Sequence, residues 1–274
     1  MEETTNQEAP KMSQTEEEEL ELSHTDKLVG VFSEPGNTFA KISLSGAKTT
    51  DWLIPIFVVI VVAILSNIVM MSNPVIKLSI QEKQMAQFEK QMDEAVASGE
   101  MTEAQKEDQL DTIRERMEEG MSANLIFSII GIVLFTFISF FVVTGVFYLF
   151  TKFALKGTGT YKEAMSAYGL PQYVIVIQII VMVIVALVMN KFFSSLSVGE
   201  FLDVDKSTIT GFILNKVDVF SIWFYALVSI GYAKMFKSED TGKYFALIFG
   251  IWIGFGLLMF FLAQAFPFLK WFGL

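Results

Sequence analysis

Few residues of this chain have side chains suited to catalysis. Its 274 residues include no cysteine, and the one histidine, His24, lies in an acidic N-terminal segment. Nucleophilic triads need a positioned base, and zinc sites need histidine, cysteine or several convergent carboxylates. Neither a histidine or cysteine nor a set of convergent carboxylates falls within the apolar part of the sequence. We therefore expect no enzyme activity, no bound metal and no cofactor.

A glycine-rich stretch, residues 156–160, superficially resembles a phosphate-binding loop. It lacks the GxxxxGK spacing, and it follows an apolar segment of helical length instead of a strand. We interpret its glycines as the end of that helix, not as a nucleotide site.

Four polar residues fall within or beside apolar stretches: Asn67, Gln178, Asp218 and Gln264. Charges deep inside a span are costly and mark transport pathways, whereas an amide more often bonds a neighbouring helix. Asp218 precedes an apolar stretch, where an acid caps the helix and is favoured by its dipole. We predict that these four residues make polar contacts inside the membrane.

A second pair of residues suits helix packing. Gly250 and Gly254 form a GxxxG motif within an apolar stretch. Small residues at this spacing allow close approach of another helix. That helix belongs either to the same chain or to a second copy.

Five apolar stretches are long enough to position these residues in a bilayer. About 20 residues of α-helix cross the hydrocarbon layer, which is about 30 Å thick. The stretches cover about 52–71, 125–150, 171–189, 217–236 and 244–268, and the fourth is the shortest. The sequence therefore predicts an all-α polytopic membrane bundle with five transmembrane helices.

The other segments are polar or interrupted. Residues 1–26 are acidic and poor in bulky apolar groups, which predicts a disordered tail without a secretory signal. The membrane domain then covers 27–274, and its first part, 27–50, has short apolar faces broken by Pro35 and Gly36, typical of an interfacial segment. Asp51 is predicted to cap the first span.

The first loop is long and charged. Apolar residues recur at spacings of three and four in two parts of 76–121, and Thr102 with Gln105 forms a capping box. We predict a helical hairpin outside the bilayer. Its apolar stripe either packs the hairpin on itself or binds a partner or a second copy.

Charge limits the partners and the orientation. The net charge of −10 argues against binding nucleic acid and against electrostatic attachment to anionic lipid. Lysine and arginine near the membrane divide equally between the two sides. The second loop, between the second and third stretches, and the fourth loop, between the fourth and fifth, are nevertheless short and carry three lysines each: Lys152, Lys156 and Lys162, and Lys234, Lys237 and Lys243. We expect the N-terminus in the cytoplasm and the C-terminus outside.

Several motifs in order carry a family resemblance. They are residues 28–35, Trp52 to Pro55, Tyr161 to Ala164 after a glycine-rich stretch, Pro171, and Asp218 to Trp223. Over about 27–268 the chain is similar to bacterial Yip1-domain proteins. The resemblance implies an integral membrane helical bundle with a cytoplasmic N-terminus, here in a bacterial cytoplasmic (inner) membrane.

Eukaryotic members of that family act in vesicle traffic between the endoplasmic reticulum and the Golgi and associate with Rab GTPases. This chain lacks their Gly-Pro-rich cytoplasmic motif, so a GTPase partner is doubtful. The leading hypothesis is a non-enzymatic protein that acts in membrane organisation or trafficking-like processes, through protein–protein or protein–lipid contacts.

Two alternatives remain at this stage. A small transporter or channel requires a hydrated cavity at mid-membrane, lined by Asn67, Gln178 and Asp218, whereas a centre packed with Phe side chains counts against it. A membrane-anchored docking module uses the hairpin of 76–121.

Overall fold

The computed structural model describes residues 21–119 and 121–266, apart from the side chains of 116–126. Within these ranges the secondary structure is helical, without strands. The all-α prediction is therefore confirmed for the described residues. Most of the predicted acidic tail, residues 1–20, lies outside them.

Twelve helices are described. They are α1 (His24–Ser33), α2 (Pro35–Ser45), α3 (Thr50–Ser72), α4 (Pro74–Ala97), α5 (Glu103–Glu119), α6 (Met121–Phe153), α7 (Tyr161–Gly169), α8 (Gln172–Met189), α9 (Val198–Phe201), α10 (Ile209–Lys216), α11 (Val219–Met235) and α12 (Thr241–Ala265).

Four helical segments are long and apolar enough to cross a membrane: Thr50–Ser72, Phe127–Phe153, Tyr161–Met189 and Thr241–Ala265. A fifth candidate is the pair α10 and α11, whose axes differ by 64° across a short break. The described residues therefore contain four candidate spans, or five if the bent pair counts as one. The break falls at the start of the predicted fourth span, 217–236.

The predicted interfacial segment forms two short helices. Ser23 and Asp26 make a capping box that starts α1 at His24, so helix begins inside the segment predicted as a disordered tail. Pro35 occupies the first turn of α2, where its missing N–H is tolerated. Both helices bury one apolar face, with Val31 and Phe39 fully enclosed.

Aromatic side chains pack between α6, α7 and α11. The ring of Phe147 on α6 lies 6.0 Å from Tyr168, 6.3 Å from Tyr225 and 6.0 Å from Tyr232, centroid to centroid. The Tyr232 hydroxyl donates to the carbonyl of Thr144 at 3.2 Å. Helix α11, which carries two of these tyrosines, is thereby enclosed by its neighbours.

The glycines of residues 156–160 serve packing. A Cβ atom at Gly157 or Gly159 would lie 2.6 or 2.5 Å from the ring of Phe236, so only glycine allows this approach. Thr158 donates to the carbonyl of Phe236 at 3.4 Å. Residues 156–160, which follow α6 in the chain, therefore pack against the C-terminal end of α11.

The first loop contains α4 and α5, joined by a turn at Gly99 with φ of 78°. Thr102 and Gln105 exchange the hydrogen bonds of the predicted capping box. Met92 and Leu110 are 1% and 5% exposed, which agrees with apolar stripes that meet each other. The position of this segment outside the bilayer stays a prediction.

The sequence predicted no element in the third loop, about 190–216. The structure forms two short helices there, α9 and α10, each started by a hydroxyl side chain, Ser197 and Thr208. The sequence did contain a signal for the start of these helices, because serine and threonine are favoured N-caps. However, α9 has only four residues, which is too short for a helical pattern to be recognised.

Candidate functional site

A buried ion pair lies where α1, α3 and α7 meet. The ammonium of Lys27 donates to Asp51 Oδ1 at 2.6 Å, and the two residues are 2% and 0% exposed. Asp51 Oδ2 accepts from the backbone N–H of Lys48 at 2.8 Å and from the hydroxyl of Ser166 at 3.2 Å. One carboxylate therefore holds three helices and the turn before α3.

This geometry corrects the predicted role of Asp51. The N-cap of α3 is Thr49, and Asp51 is the second residue of the helix. Its carboxylate receives Lys27, so its main partner comes from a different helix. Lys27 was not predicted as a site residue, because nothing local in the sequence distinguishes a lysine at the edge of an acidic segment.

His24, assigned to the acidic tail, is packed against α8. Its Nε2 lies 2.7 Å from the hydroxyl oxygen of Tyr173, and its Nδ1 is buried with no hydrogen-bond partner among the described residues. Burial lowers the pKa of the His24 imidazole, while the carboxylate of Asp51 opposes the shift. The neutral imidazole is therefore favoured in the folded protein.

A cavity of about 320 Å³ opens beside this ion pair. It is lined by Glu21, Leu22, Ser23, His24, Lys27, Lys48 and Thr50. At its rim Lys48 and Glu21 form an ion pair whose side chains are 45% and 57% exposed. The hydrogen bond from Lys48 lowers the pKa of the Glu21 carboxyl.

A second buried carboxylate lies at the break between α10 and α11. Asp218 is 3% exposed and accepts from Gln178 Nε2 at 2.8 Å, from the Ser221 hydroxyl at 2.9 Å and from the Phe220 backbone N–H at 3.0 Å. It is the N-cap of α11. No lysine or arginine of the described residues lies within ion-pair distance of it.

The four predicted polar residues are not gathered at one point. The structure brings Gln178 and Asp218 together, but Gln264 donates to the carbonyl of Ser207 at 2.9 Å in the third loop. Asn67 is partly exposed near the end of α3 and makes no hydrogen bond within the described part of the chain. The transporter alternative grouped Gln178 and Asp218 around one cavity, but a direct hydrogen bond between them was not predicted, since 40 residues separate them.

Lys216 is a further charged residue that the sequence did not single out. Its ammonium lies 5.1 Å from the ring centroid of Trp252 and 5.6 Å from that of Phe212. A Cβ at Gly256 would come within 2.7 Å of the ammonium nitrogen, so this glycine gives it room. By contrast, a Cβ at Gly250 or Gly254 would meet nothing within 4 Å.

The buried carboxylates Asp51 and Asp218 connect helices of the bundle. Among the described residues, no group of three histidine, aspartate or glutamate side chains could hold a metal ion. Both oxygens of Asp51 and of Asp218 accept hydrogen bonds, and each carboxylate has at least one donor from another helix. Fold and contacts together define a polytopic helical protein of the membrane.

Comparison with protein families identifies this class more closely. The family model described as the Yip1 domain matches residues 29–263. The chain therefore belongs to the Yip1 domain family, as its sequence motifs predicted. No curated protein and no solved structure matches it significantly.

Proposed function

We propose that this protein acts in membrane organisation or trafficking-like processes, without enzymatic activity, through contacts with lipids and with other membrane proteins. The observation that carries the proposal is the aromatic packing between α3, α6, α7 and α11. A carrier or channel needs a path for a polar solute between its helices, and bulky rings occupy the space between these four helices.

A row of rings crosses the bundle. Trp52 on α3 stacks on Phe140 of α6 at 5.4 Å, Phe140 lies 5.6 Å from Tyr168 of α7, and Tyr168 lies 5.3 Å from Phe224 of α11. Protein interiors packed in this way have few voids large enough for water. The four helices therefore support one another as a scaffold.

The outer face of α12 supports a role in assembly. The open space beside Gly250 and Gly254 leaves room for a helix from a second copy or from another membrane protein. We propose this face as the contact between protein molecules in the bilayer. The acidic tail offers no feature that favours a GTPase partner.

The fold also supports the proposed orientation. Thr158 contacts Phe236, so the second and fourth loops lie at the same end of the bundle, with the lysines that both loops carry. Lysine concentrated in short loops is typical of the cytoplasmic side. We place the N-terminus at that side of a bacterial inner membrane, and the C-terminus outside.

The test uses the purified full chain in sealed lipid vesicles. We expect solute and ion leakage equal to that of protein-free vesicles. We also expect energy transfer between labelled copies of the protein, and this transfer should decrease in the Gly250→Leu and Gly254→Leu variants. Gly131→Leu, at another open position on α6, is the control. Solute flux abolished by Asn67→Leu or Gln178→Leu contradicts the proposal.

A transporter is the second candidate, favoured by one observation. Asp218 is a buried carboxylate at a helix break, without a cationic partner among the described residues, and charged groups within spans often mark ion pathways. In the same vesicles this candidate predicts a flux that Asp218→Asn removes. A docking role for 76–121 predicts that deleting this segment removes crosslinks to partners but not membrane insertion.

A further inference from the structure

We propose that the cavity beside α1 binds the headgroup of a zwitterionic membrane lipid with a primary ammonium, of the phosphoethanolamine type. This inference rests on the proposed function, because it assigns a lipid class to the protein–lipid contacts. Three observations carry it: the position of the cavity, the apolar surface next to it, and the exposed pair of opposite charges at its rim.

The cavity lies at the end of a candidate span. Thr50, which lines it, is the first residue of α3. A helix that crosses the hydrocarbon layer begins close to the level of the lipid headgroups. The volume of about 320 Å³ lies at the lower end of the range for ligand pockets, about 300–1,000 Å³.

An apolar stripe runs along α3 from the cavity. Ile54, Phe57, Val61 and Leu65 follow Thr50 at helical spacings of three and four, and they are 37%, 63%, 38% and 55% exposed. Residues at this spacing share one face of a helix. A lipid whose headgroup occupies the cavity therefore has an open apolar surface for its acyl chains.

The charges of the cavity fit a zwitterion better than an anion. Lys27 is already neutralised by Asp51, so its ammonium is not free for a ligand. The exposed pair of Lys48 and Glu21 can exchange partners: Lys48 binds the phosphate, and Glu21 accepts hydrogen bonds from the ammonium. A headgroup with phosphate alone would leave the Glu21 carboxylate beside a second negative charge.

Two further groups favour this ligand. A primary ammonium has three N–H donors, whereas a trimethylammonium has none and cannot bond the Glu21 carboxylate. His24 lines the cavity, and its buried Nδ1 has no partner among the described residues. A polar atom of the bound headgroup supplies that partner.

The experiment measures lipid binding to the purified full chain by native mass spectrometry. Phosphatidylethanolamine, phosphatidylcholine and phosphatidylglycerol with identical acyl chains are compared at equal concentration. We expect the ethanolamine lipid to bind about tenfold more tightly than the other two. Glu21→Gln and Lys48→Gln each reduce this preference to less than threefold, whereas Lys41→Gln, an exposed lysine outside the cavity, leaves it unchanged.

Three results overturn the inference: equal or stronger binding of phosphatidylglycerol, a preference that survives Glu21→Gln, and full competition at equal concentration by soluble glycerophosphoethanolamine, which has no acyl chains. Both substituted side chains are about half exposed, so neither substitution should unfold the protein. The proposed function is tested separately by vesicle flux and self-association. If the protein shows no lipid preference but meets the expectations of those tests, then only the lipid inference fails and the proposed function stands.

Discussion

Asp51 and Asp218 are two buried carboxylates with different means of stabilisation. Each accepts three hydrogen bonds, and each is almost fully enclosed, at 0% and 3% exposed. Asp51 receives the ammonium of Lys27, whereas Asp218 receives an amide, a hydroxyl and a backbone N–H. The charge is balanced by a cation at the first site and by dipoles at the second.

Their positions account for the difference. Asp51 lies in the first turn of α3, at the end of the bundle where α1 brings its lysine. Asp218 caps α11 beside Gln178, the seventh residue of α8, in the interior of a candidate span. Both carboxylates lie at a helix N-terminus, which carries about half a positive charge, but only Asp51 also receives a buried cation. We therefore expect the two sites to respond differently to the same substitution.

The largest expected effect comes from Lys27→Met. This change leaves the Asp51 carboxylate buried without its cation, and breaking a buried ion pair in this way costs about 3–5 kcal/mol. The free energy of unfolding in mixed micelles should fall by that amount. Lys41→Met, on the exposed face of α2, should change it by less than about 0.5 kcal/mol.

A double substitution, Lys27→Met with Asp51→Leu, distinguishes charge imbalance from lost packing. Replacing both members of a buried pair by apolar residues is often close to neutral. We expect most of the lost stability to return. If the double variant is less stable than Lys27→Met alone, then the bonds of Asp51 to Lys48 and Ser166 matter more than its ion pair.

A smaller effect is expected for Asp218→Ala. It removes the cap of α11 and leaves the amide of Gln178 without its buried acceptor, which costs about 1–3 kcal/mol. Asp240→Ala is a matched control, because Asp240 caps α12 at an exposed position. Equal losses for both variants, measured in the same micelles, would show that the contact with Gln178 contributes nothing.

A third buried carboxylate, Glu200, lies outside the candidate spans and can be compared with Asp51 and Asp218. Its side chain is 4% exposed, and Lys83 of α4 and Lys206 of the third loop both bind it. Burial raises the pKa of the Glu200 carboxyl, but the hydrogen bonds from Lys83, Ser194 and Lys206 together outweigh it and lower the pKa to about 2. Glu200 therefore resembles Asp51, since cations balance its charge.

The sign of its pH dependence follows from this shift. A carboxyl with a depressed folded-state pKa stabilises the fold fully above its unfolded value, 4.5, and the contribution is lost as the pH falls towards 2. We expect the backbone amides of α9 to exchange hydrogen faster, after correction for intrinsic rates, between pH 4.5 and 2. Glu200→Gln should remove this dependence, and an unchanged profile in that variant contradicts the assignment.

Much of the fold could be predicted, because its signals are local. The capping box of Thr102 and Gln105 begins α5 as the sequence indicated, and Asp218 caps α11. The apolar stretches are long enough to predict the candidate spans from their length alone. The start of α3 was misplaced, because aspartate is the more favoured N-cap by residue type, whereas Thr49 occupies that position without a side-chain capping bond.

The contacts between helices could not be predicted in this way. Lys27 and Asp51 lie 24 residues apart, and Gln178 and Asp218 lie 40 apart. Which of several polar residues meet depends on the rotation and depth of each helix in the bundle. The bend between α10 and α11 was also missed, since the residues at the break include neither proline nor glycine.

The central claim is that a cation balances Asp51 whereas dipoles balance Asp218. The most direct measurement compares the free energy of unfolding of Asp51→Asn and Asp218→Asn in the same mixed micelles. Asp51→Asn leaves the ammonium of Lys27 buried and unpaired, so we expect a loss of about 3–5 kcal/mol. Asp218→Asn keeps a good N-cap side chain, and we expect a loss below about 1 kcal/mol. Equal losses, or a larger loss for Asp218→Asn, would contradict the account.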